Sequence, residues 1–222
     1  LASRRTEGLL VITPKVEPHH VRIPRYVSAV FIGANPKLDW IASVTLDDEN
    51  AGYMATEHLI QLNHTHIAHI TGPMAEESSQ GRMRGYQAAL NAAGIPFQRR
   101  FIYEGDWSAT SGYMAVQDFL EQENAPSAIF AQNDRMAVGA IRALRDAGRH
   151  VPKNISVIGF DDMPLASYFD PPLTTILQDT YRMGREAACQ LISSIEKPDN
   201  PCRQLCVEPK LIVRQSTTLN DQ

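Results

Sequence analysis

Residues 128–148 read AIFAQNDRMAVGAIRALRDAG. Ala128–Ala131 is apolar on both faces and too short for a helix, which is how a buried parallel strand reads. The polar triplet Gln132-Asn133-Asp134 ends it. From Arg135 to Ala147 apolar residues recur at helical spacing, and Gly148 closes that helix. A strand, a polar junction and a helix make half of a βαβ unit. The same alternation extends in both directions. Further strands are expected at Gly8–Thr13, Val27–Ile32, Ile67–Thr71 and Ile155–Phe160. Asp47 can cap a helix whose inner face is Ala51, Ala55, His58, Leu59 and Leu62. Arg82–Ala93 closes at Gly94. Ser108 can cap a helix bearing Tyr113, Val116 and Leu120, and a last helix runs from Met183 to Ile195 before Pro198. Alternating strands and helices with right-handed crossovers give a doubly wound parallel α/β sheet. Ligands of such sheets sit beyond the carboxyl ends of the strands.

The bulk properties narrow the function. The chain has 222 residues, 43% hydrophobic and 21% charged, and a net charge of −4 with pI near 6.0. That length supports one large domain or two small ones. No basic surface dominates, so this chain is a poor holder of a phosphate backbone by itself. Arg4-Arg5 and Arg99-Arg100 read as solvated pairs. No apolar run approaches the length that crosses a bilayer, and LASRRTEGLLVITP lacks the order of segments of a signal peptide. The three cysteines, Cys189, Cys202 and Cys206, fit a reduced, cytoplasmic protein. The sequence enters a strand almost at once, as though it began inside a domain.

The residues just after each strand form a chemically coherent set: Trp107, Asn133, Asp134, Asp161, Asp162 and, at the start of its expected helix, Arg82. A flat aromatic beside amide, carboxylate and guanidinium groups suits a sugar ring and its hydroxyls. The plainer reading is that each Asp or Asn caps the helix that follows, and we expect this of Asp134 and Asp162. Asn133 and Asp161, at strand tips, are expected to meet ligand. Catalysis fits poorly, and the chain reads as no enzyme. It has no G-x-S-x-G, no G-x-G-x-x-G and no phosphate-binding loop with a lysine. Adjacent carboxylates on extended backbone point to opposite sides, so Asp161 and Asp162 would not share one proton. They also lack a neighbouring His for a metal site. In NHTHIAH, residues 63–69, His66 and His69 differ in strand parity and His64 falls in a turn expected to be solvated, so no metal is expected there. His19-His20 carry no assignment, and Cys202 and Cys206 form at most a weak metal pair.

Six motifs in order and spacing then resemble one family. EHLIQLNHTHIAHITGP, GRMRGYQAAL, AIFAQNDRMAVGAIRAL, VPKNISVIGFDD, PPLTTILQD and LIVRQST are similar to the effector-binding domain of the lactose-repressor (LacI/GalR) family of bacterial transcription regulators. The resemblance runs from Gly8 to Thr217. It implies a fold of the type I periplasmic-binding-protein kind, α/β, with two doubly wound parallel-sheet subdomains joined by three crossover segments. Residues 1–46 with 179–207 would form the first subdomain, lacking its first strand and helix. Residues 47–178 with 208–222 would form the second, with a small sugar-like effector held between the two. It also implies a homodimer, no cofactor, no membrane, and operator DNA reached only through an N-terminal helix-turn-helix outside this chain. By motif position, Arg82 matches the family arginine that grips effector hydroxyls or a carboxylate, Asn133 the Asn of the N-D-x-M-A motif, and Asp161 the first Asp of G-[FY]-D-[DN]. Trp107 matches a pocket tryptophan, and Ser78 and Gln178 fall at further pocket positions. There are departures in the first subdomain: Ile12, Gly33 and Thr180 stand where the family's type member has a pocket Asn, Asp and Phe. An extracytoplasmic sugar-binding protein would share the fold, and is the alternative reading.

Overall fold

The computed structural model describes residues 6–17, 22–198 and 201–220. Arg4-Arg5 and His19-His20 lie outside the described residues. The chain divides into two compact units, Leu1–Asp47 with Asp179–Glu208 and Asp48–Gln178 with Pro209–Gln222, and passes between them three times.

The first unit holds four strands, β1 (Gly8–Ile12), β2 (Ser28–Ile32), β3 (Ala42–Leu46) and β9 (Gln204–Val207), all parallel in that spatial order. One face buries Ala29, Phe31 and Ile41 with Leu9, Val11, Leu38 and Trp40 against them. Helix α5 (Thr180–Glu196) packs on β1, β2 and β3. Asp179 caps it by accepting a hydrogen bond from the Arg182 amide at 2.8 Å. The helix therefore starts three residues before the expected Met183, because its first turn, Thr180-Tyr181-Arg182, is exposed and carries no apolar period.

The second unit is larger. Its sheet runs β10-β8-β7-β6-β4-β5, with β4 (Ile67–Thr71), β5 (Ile102–Glu104), β6 (Ala128–Ala131), β7 (Ser156–Asp161) and β8 (Thr174–Leu177) parallel and β10 (Lys210–Ile212) antiparallel at the edge. Both faces are covered. Ala68, Ile70, Ile129, Ala131 and Val157 share a core with residues of α3 (Ala109–Leu120) and α4 (Asp134–Asp146). On the other face α1 (Asp48–Gln61) and α2 (Glu77–Ala92) pack together, so closely that a Cβ on Gly52 or Gly85 would strike the backbone opposite. His69 of β4 stacks on Tyr86 of α2, with ring centroids 4.7 Å apart. This double covering is why the strands read as continuous apolar runs.

Helix α2 begins at Glu77, five residues before the expected Arg82. The segment ESSQG is small and polar, and Glu76 makes no side-chain cap bond, so neither apolar period nor cap marks the start. Helix α4 begins one residue early, at Asp134.

His64 departs furthest from expectation. It is 3% exposed, not solvated. Its Nδ1 meets the Ser127 Oγ at 2.9 Å, and its Nε2 lies 3.0 Å from both the Ser156 Oγ and the Thr218 carbonyl oxygen. The ring thus ties the amino ends of β6 and β7 to the chain's last described stretch. Ser216 and Asn220 reinforce this: the Ser216 Oγ donates to the Val157 carbonyl at 2.6 Å, and the Asn220 amide donates to the Leu62 carbonyl at 2.8 Å. Burial lowers the His64 pKa from 6.5, opposed by the Thr218 bond. A histidine kept neutral in this way stabilises the fold above its unfolded pKa, and that contribution fades as pH falls below it. We predict that His64→Leu costs about 1–3 kcal/mol by removing the imidazole's bonds to Ser127, Ser156 and Thr218 from a buried site. Urea unfolding checks this. The difference from the parent protein should be largest above about pH 6.5 and shrink in acid.

Candidate functional site

The carboxyl ends of β4 to β8 bring together most of the residues expected to bind ligand. Arg82 lies in the second turn of α2, facing inward and 5% exposed. Its Nε donates to Asp48 Oδ1 at 2.8 Å and its Nη1 to the Gln132 carbonyl at 2.7 Å. Its guanidinium carbon sits 3.4 Å from the centroid of the Phe160 ring and 5.8 Å from that of Trp107. A desolvated guanidinium on an aromatic face gains about 2 kcal/mol. These contacts fix the plane of the group and leave Nη2 for another acceptor.

Trp107 follows β5 with φ of 69°, a region costly for a bulky side chain. The Glu76 carboxylate accepts from its indole Nε1, both oxygens at 3.2 Å. The indole lies over Gly72, where an added Cβ would come within 2.1–2.5 Å of three of its ring atoms. Only glycine permits that approach.

Asn133 is 7% exposed. It caps α4, with Oδ1 accepting from the Met136 amide at 2.7 Å, and its Nδ2 donates to the Trp107 carbonyl at 3.0 Å. Asp134, expected to be the cap, is fully buried. It accepts instead from Thr175 Oγ1 at 2.7 Å and the Met163 amide at 2.8 Å. The side chain that can turn back to the first free amides belongs to the residue before the helix, and that residue is Asn133.

Asp161 ends β7 and is half-buried. It and Asp162 have φ of 110° and 54°. The backbone is therefore not extended here, and the expectation that the two carboxylates alternate across a strand does not apply. Nor does a helix follow Asp162 for it to cap. Its Oδ1 accepts from Arg214 Nη2 at 2.6 Å. Burial pushes the Asp161 carboxyl up to about 7; Arg82 draws it down, and Asp134 pushes it further up. Asp134 is raised to about 6, again by burial first. The Gln178 amide donates to the Asp161 carbonyl at 3.4 Å. Ser78 sits half-buried in the first turn of α2.

The first-unit positions differ in character. Ile12, at the end of β1, is 81% exposed. Gly33 has φ of 95°, and Thr180 opens α5. No described group of three or more His, Cys, Asp or Glu could hold a metal ion. Sequence reasoning passed over Asp48, Glu76 and Phe160. Phe160 sits one residue before Asp161, but its signal was that of any core aromatic, and the two acids lie in helix starts where acids are common.

The sequence matches the family described as periplasmic binding protein-like domain over residues 56–217. It is 35% identical to the HTH-type transcriptional repressor PurR of Aliivibrio fischeri strain MJ11, over 97% of this chain and 66% of that protein. The Edwardsiella ictaluri repressor of the same name is 36% identical, over 97% and 64%. Among solved structures, a complex of the transcriptional regulator CelR with cellobiose aligns with a TM-score of 0.89 and 32% identity, over 97% of this chain and 67% of that one. A LacI family transcriptional regulator from Enterococcus faecium with bound ribose aligns at 0.90 and 26%, over 99% and 82%. This chain belongs to the LacI/GalR family and is an effector-binding domain with the periplasmic-binding-protein-like α/β fold. It spans about two thirds of the length of the curated relatives it matches.

The raised Asp161 pKa yields a prediction. A carboxyl whose folded pKa exceeds its unfolded value binds more protons folded than unfolded, so stability falls as pH rises between the two values. Asp161→Asn removes that loss. Its melting temperature should match the parent's near about pH 4 and exceed it by several degrees near about pH 8. Parallel thermal melts across this range decide the matter; a constant offset would contradict it.

Proposed function

We propose that this chain is the ligand-sensing part of a bacterial transcriptional repressor, and that its effector is a small sugar or sugar derivative. The observation that carries the reading is the group at one strand-end face of the second unit. The face of Trp107 lies beside a guanidinium, Arg82, with a free edge, and Asp161 is close enough for that cation to act on its carboxyl. An aromatic face covers a sugar's C–H surface, while a guanidinium and a carboxyl fork hydrogen bonds to its hydroxyls. Ser78, Asn133 and Gln178 add neutral polar groups at the same end of the sheet.

Cellobiose and ribose in related structures support the ligand class. Repressor relatives 32–36% identical over 97–99% of this chain favour a regulator over an extracytoplasmic binding protein. In this reading the domain works as a homodimer in the cytoplasm. Operator DNA is gripped by a helix-turn-helix outside residues 1–222. Effector changes DNA affinity through a coupling of about 1–3 kcal/mol per site. No described helix is long and apolar enough to cross a membrane.

A thermal-shift screen tests the ligand class, because bound ligand raises stability by RT ln(1 + [L]/Kd). Cellobiose, ribose or a close relative is expected to raise the melting temperature. Arg82→Ala and Asp161→Ala should each weaken that binding by about 2–5 kcal/mol in calorimetry. Near-parental affinity in both variants would remove the pocket from this face.

A further inference from the structure

We propose that Gln132 is a positioning residue: it never touches the effector, yet it holds the effector-binding groups in place. The proposal rests on the reading of Ser78, Arg82 and Trp107 as ligand groups. Gln132 is fully buried and so cannot reach a ligand. Both ends of its side chain are engaged. Its Oε1 accepts from the Gly72 amide at 3.0 Å. Its Nε2 donates to the Ser79 carbonyl at 3.1 Å and to His69 Nε2 at 2.9 Å. The Gly72 amide needs an oxygen and the Ser79 carbonyl needs a donor, so the orientation of the amide is settled by its partners. Its backbone carbonyl accepts from Arg82 Nη1 at 2.7 Å.

Three of the four contacts lead to a proposed ligand group. Gly72 is the floor on which the Trp107 indole rests. Ser79 follows Ser78 in the first turn of α2, three residues before Arg82. Arg82 is held directly. A buried side-chain amide between two strand ends and a helix start acts as a fixed spacer, because moving any one neighbour breaks a bond that water cannot replace. His69 limits rotation of the Gln132 amide, and is itself clamped between Tyr86 and Phe130, at 4.7 and 4.5 Å. His69 supports the spacer, whereas Gln132 makes the contacts.

The test needs no ligand. The chain has two tryptophans, Trp40 and Trp107, so Trp40→Phe leaves Trp107 as the sole reporter. In that background Gln132→Met keeps the length and removes both polar ends. His69→Phe keeps the ring stack and removes one acceptor, serving as a comparison that disturbs the same core. The expected result is a red-shifted Trp107 emission in Gln132→Met and iodide quenching raised about twofold or more, with little change in His69→Phe. Gly72→Ala, which forces the indole away, gives the reference for a displaced ring. Far-UV circular dichroism and melting curves establish folding. If Gln132→Met does not fold, the double variant with His69→Phe, which leaves no unpaired imidazole, is read in the same way. Unchanged Trp107 emission and quenching in the folded variant, or equal shifts in both single variants, would overturn the proposal. Titration with cellobiose and ribose is a separate arm. About tenfold weaker binding in Gln132→Met than in His69→Phe extends the result to affinity. Failure of both sugars to bind the parent counts against the sugar reading and leaves the fluorescence outcome standing.

Discussion

The carboxyl-end face of the second unit depends on one junction, where β6 passes into α4. Three consecutive side chains there reach three different segments. Gln132 holds the exit of β4 and the first turn of α2. Asn133 holds Trp107 and the start of α4. Asp134 holds Met163 and Thr175, which frame the loop after β7. A strand that turns into a helix sends successive side chains in different directions. A short polar run at that point can therefore pin several loops at once, and the rigid sheet beneath sets their spacing. The cost of burying these polar groups is offset only if nearly every lone pair and proton finds a partner.

Charge at this face is balanced without being cancelled. Asp48 takes the Nε of Arg82, and Arg214 takes Asp162. Asp161 is left influenced by Arg82 but burdened by burial and by Asp134, so its carboxyl stays near neutrality. A fully paired Asp161 would be more stable and, in the proposed reading, of less use, since a ligand hydroxyl would then compete with a salt bridge. Arg82 is arranged in the complementary way. Asp48 and the Gln132 carbonyl fix its plane, and neither occupies its outer edge. In the proposed reading both groups are held for the effector, the usual balance between stability and function.

Much of this was legible in the sequence because the strands are buried on both faces and the helices are not. Continuous apolar runs such as Ala128–Ala131 and helix ends such as Gly94 and Gly148 carry their own local cause. Strands β3, β5, β8, β9 and β10 were not among the runs picked by apolarity. ASVTL alternates with polar residues, IYE and KLI are too short to show a period, and QLCV has only one buried position. The start of α2 was hidden because ESSQG lacks both period and cap. At the site, residue types and strand-end positions pointed to Trp107, Asn133 and Asp161. The roles of neighbours did not follow. Whether Asn133 or Asp134 caps α4 turns on one residue of register, and whether Asp162 meets Arg214 turns on a contact across 52 positions. Local pattern cannot carry such information.

The two ends of the second sheet have opposite characters. At the amino ends of β6 and β7, His64 and the stretch around Ser216 close a neutral, fully bonded network whose effect is to hold the fold together. At the carboxyl ends lie three of the five described non-glycine residues with positive φ, Trp107, Asp161 and Asp162, together with two carboxyls raised toward neutrality. Such backbone positions cost about 1–3 kcal/mol each and persist only where their surroundings over-determine them. Here the Asn133 side chain holds the Trp107 carbonyl, the Gln178 backbone amide holds the Asp161 carbonyl and Arg214 holds the Asp162 carboxylate. The amino-end network can then be altered to change stability without reshaping the carboxyl-end face.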